Sequence, residues 1–309
     1  MGNLHTGKKN IWQFVAVAFT VCAVILIAIL ALRKKNESDA EAAYAALSET
    51  VNAVAEETVE STGEAGNSED ANGDGEETVQ TGLSPEGLLA ASMDGEEPED
   101  LPEEEKEPVP EAPGKGLDWD ELHKTNSDIY AWIYVPGTSV DYPILQHPSN
   151  NEYYLNHNLD KSSSFPGVIY TENYNSKDFT DPHTVIYGHN MDNTTMFSTL
   201  HKFADPKMFE DPHYFFIYTE DGRSLCYEVV AAYEYPSFHL MLTFDCSNQY
   251  IFEQYLSNIE NIDVTGPYLG NVRHDVELDA DDHIVTLSTC TTDHDAQKRF
   301  LVVGVLLNP

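Results

Sequence analysis

A mostly-β barrel or sandwich with helical insertions is the fold predicted for residues 117–309. Three observations predict it: short runs of β-branched and aromatic residues recur between turn signals, few stretches carry a helical stripe, and there is no strand–helix–strand alternation. About 190 residues are enough for one good core.

Taken in order, Leu117 to Trp132 has apolar residues at 119, 122, 129 and 132 behind a capping candidate, Asp118, which predicts short helices before the first strand. Ile133–Val135 and Tyr142–Leu145 read as two strands around a Pro136-Gly137 turn. The run 150–157 (NNEYYLNH) reads as a helical turn or ordered loop. Gly167–Tyr170 and Thr184–Tyr187 read as strands, and Thr195–Phe203 as a helix over the sheet. Tyr214–Tyr218 and Leu225–Tyr233 form a hairpin through an Asp221-Gly222 turn. Apolar residues at 251, 252, 255, 256 and 259 make 248–259 a helix with one buried face. Two strands close the chain, Ile284–Cys290 and Arg299–Leu307.

The N-terminal part is built differently. Residues 11–32 hold one amide, Gln13, and no charge. As a helix they would span roughly 33 Å, enough to cross a bilayer. They are expected to be an uncleaved single-pass anchor after a cytoplasmic segment, residues 1–10. Lys8 and Lys9 before it and Arg33, Lys34 and Lys35 after it nearly balance the positive-inside rule, so an extracellular C-terminal domain follows from function and not from charge. Residues 33–116 carry about two dozen Asp and Glu against few Lys and Arg, with no Phe or Trp. This predicts a disordered acidic tether, although Ala40 to Thr58 has some helical character. The net charge of −37 argues against nucleic acid as a partner. Of the four cysteines, Cys22 lies in the apolar segment and Cys226 reads as a small core residue, so a Cys226–Cys246 bridge is not expected.

The chemistry concentrates at three strand ends. Cys290 closes one strand, Arg299 opens the next, and His189 follows the strand Thr184–Tyr187. If the last two strands form an antiparallel hairpin, thiol and guanidinium sit at the same end, about 4.8 Å apart as strands. A thiolate attacks a carbonyl, an imidazole carries the proton, and a fixed cation steadies the oxyanion. Rival chemistries fit less well. A tyrosine-phosphatase loop needs a shorter Cys–Arg spacing before a helix. A papain-like Cys opens a helix near the N-terminus. A zinc set of Cys290, His294 and His283 lacks paired ligand spacing, so neither metal nor cofactor is expected.

In combination, TLSTC ending at Cys290, KRFLVV containing Arg299 and VIYGHNM containing His189 resemble the sortases, membrane-anchored cysteine transpeptidases of Gram-positive bacteria. DYPILQ at 141–146, NNEYYLNHN at 150–158 and the helical stretch before the last two strands are similar to class B of that family. The resemblance implies a closed β-barrel of about eight strands with N-terminal helices. It implies Cys290, His189 and Arg299 as catalytic residues, and a groove lined by Asn151, Leu155, Tyr187, Ser288 and Thr291. It also implies two partners at the membrane: secreted proteins ending in a sorting signal similar to NPQTN or NPxTx, and an amine of the peptidoglycan precursor lipid II. Two alternatives remain open, a pilin-polymerising enzyme using a lysine acceptor and an anchored surface module without catalysis.

Overall fold

The computed structural model describes residues 25–32, 34–35, 38–51, 108–262 and 269–308. Nine strands form one sheet: β1 (Ile129–Tyr134), β2 (Asp141–Leu145), β3 (Ile169–Thr171), β4 (His183–Tyr187), β5 (Tyr214–Thr219), β6 (Ser224–Pro236), β7 (Gly270–Val272), β8 (Ile284–Cys290) and β9 (Lys298–Leu306). Their order is β5-β1-β2-β3-β4-β8-β9-β6-β7. β5 also pairs antiparallel with β6, so eight strands close into a barrel and β7 hangs on the outside of β6. Two pairings are parallel, β2–β3 and β4–β8.

Side chains alternate across each strand, and the alternation divides the apolar residues into two clusters. Ile186, Val285, Leu287, Phe300 and Val302 join Trp132 and Ile144 inside the ring. Their neighbours Val185, Ile284, Leu301, Val303 and Val305 belong to the second cluster, with Phe252, Tyr255, Leu256 and Ile259. Those four lie on α4 (Gln249–Glu260), whose N-terminus is capped by Asn248 accepting from the Ile251 amide. The strands β4, β8 and β9 are thus buried on both faces over most of their length. This is why β9 reads as an almost unbroken apolar run.

Several expectations are corrected. The helix before the first strand is only α2 (Trp119–Thr125), capped by Asp118 as predicted. The strand begins at Ile129, four residues early, because Asn126 ends the helix and Trp132 is wholly buried in the barrel. The predicted helix at 195–203 is a 3-10 helix, Ser198–Ala204. β6 runs to Pro236, three residues past its expected end, since β9 pairs with it along that length. A short helix, α3 (Leu240–Thr243), and β7 are additional.

Two stretches of the predicted acidic tether, 38–51 and 108–116, are among the described residues. Residues 38–51 form a helix, α1, docked on the barrel, with Ala40, Tyr44 and Val51 buried. The Tyr44 hydroxyl donates to the Gly167 carbonyl (3.2 Å), and Ser48 Oγ donates to Asp141 (3.2 Å). Asp141 also pairs with Lys115 Nζ at 2.7 Å and accepts from Trp132 Nε1 at 2.6 Å, so residues before and within the barrel meet on one carboxylate. The physical reason is an apolar stripe, Ala40, Tyr44, Leu47 and Val51, that composition averaged over the segment conceals. The rest of the predicted tether, 52–107, lies outside the described residues, as do 1–24, which hold most of the predicted anchor. Residues 25–32 are helical with large apolar side chains exposed. Among the described residues no helix is long and apolar enough to cross a membrane.

Candidate active site

α4 and α3 do not cover all of the barrel's outer face, and the uncovered end is a cavity of about 290 Å³. Cys290 is the last residue of β8 and stands opposite Arg299 in the β8–β9 register. β4 runs parallel to β8 with Tyr187 opposite Ser288, and the Gly188 amide extends the ladder to the Ser288 carbonyl (3.1 Å). Two residues on from Tyr187 and Ser288, His189 and Cys290 therefore emerge level, on the same face. Cys290, His189 and Arg299 all line the cavity.

Each is held by the chain around it. His189 Nε2 lies 2.7 Å from the Leu155 carbonyl. A carbonyl only accepts, so Nε2 carries the hydrogen, and in the neutral ring the lone pair is on Nδ1. Burial pushes the His189 pKa below its ordinary value. The Leu155 bond opposes this, and the Arg299 charge adds to it. The Phe165 ring packs against the imidazole, centroids 5.2 Å apart. Arg299 Nη1 donates to the carbonyls of Lys298 (2.7 Å) and Ala296 (3.3 Å). A guanidinium has five N–H donors, so one anchored nitrogen still leaves it able to donate to a substrate oxygen.

Of the expected groove residues, Leu155, Tyr187 and Ser288 line the cavity. Asn151 and Thr291 do not. Asn151 Oδ1 accepts from the Asn173 amide (2.8 Å), which ties two loops together. Thr291 is fully buried: its hydroxyl donates to Asp293 (2.5 Å) and its carbonyl accepts from Asn190 (3.2 Å). The backbone turns directly after Cys290, which sends the Thr291 side chain into its own loop.

Sequence reasoning missed Glu172 and His239, also in the lining. The Glu172 carboxylate accepts from His239 Nε2 (2.8 Å) and from the Tyr187 hydroxyl (3.3 Å), and burial raises its pKa. Alternation along Tyr170-Thr171-Glu172 would have flagged Glu172. His239 follows a strand whose end was placed too early.

Among the described residues Cys226, Cys246 and Cys290 are free thiols, and no three metal-ligating side chains gather. Cys246 has its own histidine, His183, with Sγ 3.7 Å from Nδ1. Burial raises that thiol to about 12 and lowers that imidazole to about 3, so both stay neutral and the pair has no nucleophile to offer.

Residues 133–307 match the sortase domain family. Sortase B of Listeria monocytogenes is 35% identical over 188 residues, covering 60% of this chain and 73% of that protein. The crystal structure of Clostridium perfringens sortase B is similar with a TM-score of 0.53 and 31% identity, over 62% of this chain and all of that one. A Streptococcus pyogenes class B sortase involved in pilus biogenesis gives a TM-score of 0.51 and 29% identity, over 62% of this chain and 98% of that one. A barrel that sets a thiol, an imidazole and a guanidinium on one open face, in a chain matched over most of its folded part, leads to one conclusion: the chain belongs to the sortase family, in its class B, and is a cysteine transpeptidase.

Proposed function

We propose that this transpeptidase cleaves a C-terminal sorting signal similar to NPQTN or NPxTx after its Thr, and passes the acyl group to an amine of the peptidoglycan precursor lipid II. The observation that carries the reading is the shared cavity of Cys290, His189 and Arg299. Cys290 Sγ attacks the Thr carbonyl while its proton moves to His189 Nδ1. Arg299 donates to the oxyanion. As the C–N bond breaks, His189 returns the proton to the departing amine and a thioester remains on Cys290. The incoming amine attacks the thioester and loses its proton to His189; a new amide forms and Cys290 is released. Leu155, Tyr187 and Ser288 contact the signal. Asn151 and Thr291 support the loops around it.

Residues 11–32 are proposed as a single-pass anchor, with 1–10 inside and the catalytic domain outside the cell. The apolar run in the sequence and the exposed apolar helix at 25–32 support this. Anchoring would hold the enzyme at the surface where both substrates arrive. The docked α1 argues for grouping residues 38–51 with the 117–309 domain, leaving the spacer role to the acidic residues between them. A lysine acceptor on a pilin subunit is the second reading, favoured by the similarity to the pilus-associated streptococcal enzyme.

Incubating the purified protein with a small library of sorting peptides should give an acyl adduct on Cys290 by mass spectrometry, and Cys290→Ala should give none. An adduct that survives in the alanine variant would remove Cys290 from the role. Competition between a lipid II-type amine and a pilin-type lysine then separates the two acceptors.

A further inference from the structure

One wall of the cavity is a loop. Residues 236–240 leave β6 and cross towards α3, bringing Phe238 and His239 to the cavity; Phe238 is 62% exposed. On the β9 side the loop is fixed by the Ser237 amide donating to the Gln297 carbonyl (2.8 Å). On the opposite side it meets Glu172 through His239.

The partners of that contact are themselves fixed. The Glu172 carbonyl accepts from Gln146 Nε2 (3.0 Å) and from the Asn175 amide (3.0 Å), so its backbone is pinned at the end of β3. His239 Nδ1 accepts from the Leu242 amide (3.3 Å), capping α3. With Nδ1 accepting, Nε2 carries the hydrogen donated to Glu172 at 2.8 Å. The same carboxylate oxygen takes the Tyr187 hydroxyl, and the Tyr187 ring stacks on Tyr170 across the β3–β4 ladder, centroids 5.4 Å apart. Tyr187 lies two residues before His189 on the same strand face. One buried acid thus sets both the distance between two loop walls and the place of a phenol beside the catalytic imidazole. Burying a carboxylate costs stability unless it is well paired, so its presence on a cavity wall calls for a role in what the cavity receives.

We propose that Glu172 and His239 form a clasp that holds the 236–240 loop against the β3 side, making Glu172 a positioning residue that shapes the subsite for the part of the peptide away from the scissile carbonyl. This rests on the transpeptidase reading above. The clasp governs how well a peptide is held; bond breaking stays with Cys290, His189 and Arg299.

Two substitutions separate the clasp from general support. Glu172→Met keeps the length of the side chain and removes the acceptor. His239→Asn keeps an α3 cap and is too short to reach Glu172. In each, KM for a sorting peptide should rise about tenfold with kcat within about twofold. The double variant should be no worse than either single one, because the two act as a unit. Alkylation of Cys290 by iodoacetamide, which needs no peptide, should keep its wild-type rate. Hydrogen exchange of the 236–243 amides should speed up in Glu172→Met, and unchanged exchange would overturn the clasp even if no peptide substrate were found. Additive effects in the double variant, or a fall in kcat at constant KM, would overturn it too. If wild-type protein forms no adduct with any peptide while exchange still speeds up, the substrate assignment has failed and the clasp has not.

Discussion

His189 and His183 are both pushed down by burial, and what surrounds each decides what it can do. His189 reaches a cavity shared with a thiol, so its depressed pKa keeps Nδ1 ready to accept a proton at neutral pH. Its position depends on Gly188, where an added Cβ would lie 2.5 Å from the Ile169 side chain and 2.7 Å from Phe197, so no side chain fits between β4's end and the core. Arg299 has the opposite need, a planar fork with one nitrogen on the backbone. Arg299→Lys should lower kcat/KM about a hundredfold, the scale of losing an oxyanion donor, with the melting temperature little changed. Turnover near wild type would remove it from the oxyanion role. At this scale the sequence was informative where spacing carries geometry: Cys290 and Arg299 are register partners because the hairpin loop between them is short. Glu172 was hidden because its partner, His239, lies 67 positions away and only the folded ring brings the two together.

At the scale of elements, α4 and α1 each cover part of the barrel and are open to separate tests. Under α4 lies His183, stacked on Tyr255 and bonded to Thr286 at 2.9 Å. Its folded pKa, about 3, is below the unfolded value near 6.5, so the unfolded chain binds the extra proton. The stability this burial gives is complete above pH ~6.5 and is lost as pH falls towards about 3, at up to ~1.4 kcal/mol per unit. Urea midpoints at pH 7 and pH 5 should therefore differ more in wild type than in His183→Gln; equal differences would show that other groups set the acid limit. For α1, Tyr44→Ala should cost about 3 kcal/mol by urea unfolding, since a ring 5% exposed and its bond to Gly167 are both lost. A cost below about 0.5 kcal/mol would mean that α1 is not docked in solution. α4 was legible from its apolar stripe. The start of β1 was not: apolar residues at 119, 122, 129 and 132 can be read as a helical stripe through the very point where Asn126 breaks the chain into strand.

For the whole molecule, the class of fold followed from counting short strands, whereas ring closure did not. The closing β5–β6 pair is a simple hairpin, but the ring exists because β1 bonds to β5 across more than 80 positions, which no local pattern encodes. The docking of α1 also needed coordinates, since it sits inside a segment whose average composition is that of a solvated spacer. The parallel contact between β4 and β8 has a further consequence. β8 and β9 can zip locally and bring sulfur to guanidinium early, but β4 reaches β8 only after the roughly one hundred residues between them have been arranged. A half-folded chain would therefore carry a thiol without its proton acceptor. During refolding, acyl-transfer competence should return with the last long-range pairing and never before it.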